Sequence, residues 1–139
     1  MELADTSAWA WTRSVGGGLR TEFDEAVVDG EIATCAMVEL ELLYSARNAD
    51  EFASLRGDLG ALPKLPMDDT VWTRALDVYE RLARQGGMHQ RSVKHPDLLI
   101  AAAAEAAEAR ILHYDEDYDR IAAITGQPVR WLAERGSLG

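Results

Sequence analysis

Polar and apolar positions alternate along this chain with two different periods, and the change of period marks its elements. Residues 71–82 carry Val71, Ala75, Val78, Tyr79 and Leu82 at i, i+4, i+7, i+8 and i+11, one face of a helix. Asp68-Asp69-Thr70 supplies its start and Gly86-Gly87 its stop. The stretch 97–109, DLLIAAAAEAAEA, is apolar nearly all round in its first half, which predicts a central, buried helix. Short apolar runs at 2–5, 32–34, 111–114 and 129–132 read as strands. Leu65-Pro66-Met67 reads as a brief extended piece at a sheet's edge or end, because Pro66 cannot donate to a ladder. Between them lie helical patterns through Trp9 and Trp11, near 21–28, over 37–47, at about 49–60 and over 117–124, the last stopped by Gly126. Gly16-Gly17-Gly18 predicts a flexible loop, and Asp29-Gly30 a turn.

Strands alternating with helices and no hairpin signal predict an α/β fold of three layers, a central parallel sheet flanked by helices. No linker divides the 139 residues, so residues 1–139 are expected to form one domain. In such sheets ligands gather at the carboxyl ends of the strands.

Composition narrows the class. No run approaches the ~20 apolar residues of a membrane span. The opening MELADTSAWAW carries acids where an export signal carries basic residues, and Cys35 is the only cysteine. A reducing, cytoplasmic setting is the expectation, and a cysteine-rich zinc site is excluded. The net charge of −10 lacks the basic footprint of a general nucleic-acid binder. It suggests instead a basic partner, bound metal cations or simple solubility.

The densest charge is HYDEDYDR, where Asp115, Glu116, Asp117 and Asp119 put four carboxylates into five positions directly after a strand. Such packing costs self-repulsion unless water screens it or a cation neutralises it. Asp5 ends the first strand at the same expected edge; Thr6 and Ser7 beside it are hydroxyl donors, and Ser7 is the candidate helix cap. Asp97 opens the buried helix next to Pro96. Glu39 and Glu41 sit among apolar neighbours and point roughly opposite ways on their helix, so only one can face the strand ends. Periodicity leaves open which. These acids, brought from distant parts of the chain to one edge, form an oxygen-only donor set suited to Mg²⁺ or Mn²⁺. One or two such ions can activate water and assist phosphodiester cleavage. No phosphate loop, dinucleotide fingerprint, HExxH or GxSxG competes. A non-catalytic module holding a basic peptide in the acidic pocket is the alternative, and metal binding separates the two.

The succession LADTSAW, VELELLYSA, HPDLLIAAAA, ILHYDEDYDRIA and GQPVRWL resembles the PIN-domain ribonucleases, specifically the VapC toxins of toxin–antitoxin pairs, over nearly the whole chain. The resemblance implies a metal-dependent endoribonuclease, cytoplasmic, hydrolysing RNA to 5′-phosphate and 3′-hydroxyl ends and neutralised by a VapB-like antitoxin. It implies Asp5, Glu41, Asp97 and Asp115 as catalytic acids, the E-L-L-Y-S register selecting Glu41. It implies Asp5, Asp97, Asp115 and, less directly, Asp117 as ligands of Mg²⁺ or Mn²⁺, with Thr6 and Ser7 hydrogen-bonding beside them and Asp119 and Glu116 left to solvent. Structured RNA, transfer or ribosomal, is the implied substrate. Arg13, Arg20, Arg91 and Lys94 are the nearest candidates for holding its phosphates. Where the family commonly has an apolar residue, this chain has His95. A homodimer is expected, with Trp9, Trp11, Phe52, Leu55 and Leu59 as candidate contact residues or else core.

Overall fold

The computed structural model describes residues 1–139. Five strands, β1 (Glu2–Ala4), β2 (Ile32–Cys35), β3 (Lys64–Leu65), β4 (Arg110–His113) and β5 (Val129–Trp131), form one parallel sheet in the order β3-β2-β1-β4-β5. Seven helices cover it: α1 (Thr6–Val15), α2 (Gly17–Val28), α3 (Ala36–Leu43), α4 (Ala49–Gly60), α5 (Asp69–Arg84), α6 (His95–Ala106) and α7 (Asp117–Thr125). A 3₁₀ turn, His89–Ser92, lies between α5 and α6. Right-handed crossovers place α1 to α4 over one face and α5 to α7 over the other, because the chain steps across the sheet in opposite directions on its two sides. Packing agrees: α5, α6 and α7 touch one another, as do α1 with α2 and α3 with α4.

That reversal matters for function. From β1 the chain steps one way to β2, and from β4 it steps the other way to β5. The carboxyl ends of β1 and β4 therefore flank the switch point, where parallel sheets leave a crevice. At the opposite edge Glu2 on β1 accepts from both Arg110 on β4 and Arg130 of β5, at 2.7–2.8 Å, tying three strands together.

The helix starts differ from the sequence reading in two places. Asp5, not Ser7, caps α1, its carboxylate accepting from the Ala8 N–H at 2.9 Å. Gly17 and Gly18 form the first turn of α2 rather than a loop, with Gly16 and Gly17 taking the positive φ values of +66° and +61° that break it from α1. The third helix stops at Leu43, four residues short of the expected end. Trp9 and Leu59 are buried, Trp9 edge-on to Phe23 at 4.8 Å, and Trp11 packs on Tyr114 at 5.3 Å. Of the expected contact residues only Phe52 is exposed; other exposed apolar groups include Leu40 and Tyr44 around the end of α3, and Trp72 and Leu76 on α5. No helix is long and apolar enough to cross a membrane.

Candidate active site

The sheet delivers the first two acids side by side. Ala4 pairs with Leu112, and the Asp5 N–H donates to the Leu112 carbonyl at 3.1 Å, so the chain leaving β1 and the chain leaving β4 enter the crevice together. Ser7 joins them: its hydroxyl donates to the Asp5 carboxylate at 2.7–2.8 Å and accepts the Tyr114 N–H at 2.8 Å. Asp115 follows, its N–H donating to His113 Nδ1 at 3.2 Å while its Oδ1 accepts the Asp117 N–H at 2.9 Å.

Glu41 and Glu39 diverge as the helical period requires. Glu41 Oε1 accepts from Thr6 Oγ1 at 2.7 Å, beside Asp5, whereas Glu39 pairs with Lys64 at 2.8 Å on the neighbouring edge strand. Pro96 in the first turn of α6 brings Asp97 into the crevice, where it is 6% exposed. Its Oδ1 accepts from the Tyr118 hydroxyl at 3.1 Å; its Oδ2 is buried and receives no hydrogen bond. Ligand atoms of Asp97, Asp115 and Asp117 lie within 4.8 Å of one another. Burial, with the charges of Asp5, Asp97 and Glu41 adding to it, holds the Tyr118 hydroxyl pKa well above the ordinary value.

Burial raises Asp5 to about 6, against the opposing hydrogen bonds from Ser7 and Ala8. It raises Asp97 to about 8, aided by the neighbouring carboxylates of Asp117 and Asp115 and opposed by Lys94. Burial pushes Asp117 the same way, but the neighbouring Asp97 carboxyl and the hydrogen bonds from the Lys94 N–H and ammonium outweigh it and hold Asp117 low.

The acids of HYDEDYDR are paired with cations and donors of the chain. Lys94 Nζ stands 2.9 Å from Asp115 and 3.4 Å from Asp117. Arg120 reaches Asp117 at 3.1 Å and Glu116 at 2.8 Å, and Arg135 also binds Glu116. Asp119 accepts from the Trp131 indole N–H at 3.1 Å. Glu116, its side chain still 45% exposed, and Asp119 also tie α7 to the C-terminal segment. Of the candidate phosphate-holding residues, Lys94 lies on the cluster and Arg91 shares a shallow surface cavity with it. Arg20 is paired with Asp24, and Arg13 stacks on Trp9 near the far end of α1, about 12 Å along the helix from Asp5. Tyr118 escaped the sequence reading; its signal was the aromatic position closing Asp115-Glu116-Asp117-Tyr118.

The PIN domain family pattern matches residues 3–124. The chain belongs to the PIN-domain family. Within it the chain stands among the VapC ribonucleases: it is 43% identical to Ribonuclease VapC18 of Mycobacterium tuberculosis over 134 residues, 96% of either chain. It is 41% identical to Ribonuclease VapC21 of the same species over 122 residues, 86% of either chain. Its fold is similar to that in the crystal structure of DNA-bound VapBC from Salmonella typhimurium, with a TM-score of 0.74 at 19% identity, covering 96% of this chain and 100% of that one. It also resembles VapBC-5 from Mycobacterium tuberculosis, with a TM-score of 0.57 at 26% identity, covering 94% and 95%.

The site's donor set fits the divalent cation that the PIN family implies. All its candidate ligands are carboxylate oxygens, a buried Asp97 oxygen points at the cluster without a partner, and the protein's own ammonium already occupies a position among them.

Proposed function

We propose that this protein, acting as one PIN domain over residues 1–139, is the toxin of a toxin–antitoxin pair, an Mg²⁺- or Mn²⁺-dependent endoribonuclease. The observation that carries the reading is the unpartnered, buried Asp97 oxygen facing Asp115 and Asp117 at the switch point of a PIN sheet. Asp5, Asp97 and Asp115 would hold the cation, with Asp117 completing the set. Bound there, it supplies charge neutralisation for a phosphodiester and acidifies a water.

The chain's own groups do the positioning. Ser7 fixes Asp5 against the β4 edge, the Tyr118 hydroxyl fixes one Asp97 oxygen and leaves the other free, and Thr6 orients Glu41. Glu41 takes the proton of the attacking water as general base. The water oxygen bonds to phosphorus, the P–O3′ bond breaks with its electron pair on the 3′ oxygen, which takes a proton from solvent and leaves as a hydroxyl, giving a 5′-phosphate. Lys94, and Arg91 in the cavity beside it, offer positive charge for the RNA backbone, structured RNA such as transfer or ribosomal RNA being the expected substrate class. The alternative, a peptide-holding module without catalysis, is not favoured by membership among the VapC ribonucleases.

Exposed Leu40 and Tyr44 adjoin Thr6, Met37 and Glu41 in one shallow cavity of about 350 Å³. An antitoxin segment with an apolar anchor and a basic side chain fits this combination, the basic group entering the acidic pocket. Trp72 and Leu76 offer a separate apolar strip for a second copy of the chain, a contact that Leu76→Glu should abolish in sedimentation.

The test is cleavage of purified transfer and ribosomal RNA with end mapping. The expected result is cutting in Mg²⁺ or Mn²⁺ to 5′-phosphate ends, abolished by EDTA, reduced about 10³-fold or more by Asp97→Asn, and suppressed in the co-purified antitoxin complex. Cutting that survives EDTA and Asp97→Asn, or a complex that keeps full activity, contradicts the reading.

A further inference from the structure

Lys94 is held in two different ways by the acids it touches. Its backbone is fixed: its N–H donates to Asp117 Oδ2 at 3.2 Å, and its carbonyl accepts the Asp97 and Leu98 N–H groups at 3.1 and 3.4 Å as α6 begins. Its side chain is 64% exposed and folds back over the cluster. The ammonium lies 2.9 Å from Asp115 Oδ2, 3.4 Å from Asp117 Oδ2 and 3.7 Å from Asp97 Oδ2. It thus satisfies Asp115 well and Asp117 marginally, and it stops short of hydrogen-bonding the buried Asp97 oxygen that has no other partner. A single charge with tetrahedrally directed protons serves this triangle incompletely; a compact divalent cation can draw on all three carboxylates.

We propose that Lys94 is the exchangeable counter-cation of this centre: its ammonium holds Asp97, Asp115 and Asp117 together in the metal-free protein, and a divalent cation binds by displacing it. The inference rests on the reading of the cluster as a metal site. Arg120, the other cation on the cluster, is not the exchanging group. It binds the opposite Asp117 oxygen, and its guanidinium is tied to Glu116 and directed at the Ser92 carbonyl, so it stays while Lys94 leaves. Departure of Lys94 needs only side-chain rotation, because the backbone contacts do not depend on the ammonium. Beside it lies an open cavity of about 450 Å³ whose lining includes Gln90, Arg91, His95 and Pro96. A displaced Lys94 enters that space next to Arg91, so loading the metal also moves a positive charge to the outward rim, where an anionic backbone would arrive.

The arrangement serves two ends. Without metal, three carboxylates packed this closely repel one another, and the tethered ammonium offsets that repulsion. With metal, the same ammonium is a competitor. Apparent affinity scales with the fraction of molecules competent to bind, so if Lys94 closes the site in about nine molecules of ten, its removal tightens the apparent Kd about tenfold.

The experiment is calorimetric titration of MnCl₂ into the full-length, antitoxin-free protein, its Lys94→Met variant and its Lys94→Arg variant, with thermal melts in EDTA alongside. The expected result is opposite signs in one variant: Lys94→Met melts lower without metal yet binds Mn²⁺ about tenfold more tightly, while Lys94→Arg stays close to the unmutated protein. Equal or weaker Mn²⁺ binding by folded Lys94→Met, with the unmutated protein binding normally, overturns the exchange and leaves the metal site intact. Absence of Mn²⁺ binding in every form removes the metal reading and the exchange with it. A second measurement needs no variant. The Lys94 ammonium, protected by its carboxylates, should give a resolved ¹⁵N–¹H correlation in EDTA that is lost on adding Mg²⁺. Its persistence in saturating Mg²⁺ overturns the proposal.

Discussion

At the scale of single residues, the site works by keeping carboxylates where water would not leave them. Asp5 and Asp97 have folded-state pKa values raised to about 6 and about 8. An acid whose pKa is higher in the folded than in the unfolded state adds stability that is complete below about pH 4 and is lost as pH rises through the folded value. Metal-free protein should therefore melt progressively lower between about pH 4 and pH 8. Asp97→Asn should flatten the upper half of that fall, which melts in EDTA across this range would show. A flat profile in the unmutated protein would mean that the two acids are not held in their raised state. Tyr118→Phe removes the donor to Asp97 Oδ1 without changing the ring that fills the core. It should cost about 1–3 kcal/mol of stability, the penalty of a buried acceptor left unpaired, read from urea midpoints; a neutral result would show the hydroxyl to be dispensable. The sequence exposed the acids, because their type and strand-end placement carry the signal. Lys94 and Tyr118 were harder to read, since their roles depend on a long side chain folding back and on an aromatic hydroxyl reaching across from α7.

At the scale of elements, helix starts aim the chemistry. Asp5 both caps α1 and lines the crevice, so its local and functional roles coincide. α6 owes its place to Pro96 in the first turn and to an unbroken buried run from Leu98 to Ala104. The periodic patterns of α5 and α6 were legible because one is strongly two-faced and the other nearly all apolar. The start of α2 was not, because glycine favours breaks in isolation, yet Gly17 and Gly18 are tolerated in a first turn whose N–H groups have no helical acceptor anyway. The early end of α3 follows from the same weakness: its sequence stays helix-compatible to Arg47, yet beyond Leu43 the Ser45 N–H and hydroxyl both donate to the Leu42 carbonyl, at 3.2 and 2.7 Å, in a tighter closing turn. Asp68, whose carboxylate accepts from Val71 at 3.2 Å, caps α5 away from the candidate ligands. Asp68→Ala should lower stability by about 1 kcal/mol with RNA cleavage unchanged at permissive temperature. Loss of cleavage at equal stability would show that α5 does more than pack.

At the scale of the whole molecule, the parallel order β3-β2-β1-β4-β5 puts a switch point between β1 and β4 and so decides where the acids meet. The alternation of elements announced the parallel sheet; which strands become neighbours was set by long-range pairing that no local pattern encodes. The net charge of −10 then has a physical sense in part, since several of its acids gather in a centre that calls for cations from the chain, from solution or from a partner. That centre is the central claim, and diffraction from crystals grown with Mn²⁺, recorded to capture the manganese anomalous signal, tests it most directly. The account predicts an anomalous peak bounded by Asp5, Asp97 and Asp115, with the Lys94 ammonium moved away. A peak elsewhere, or none with Lys94 still seated on Asp115, would contradict it.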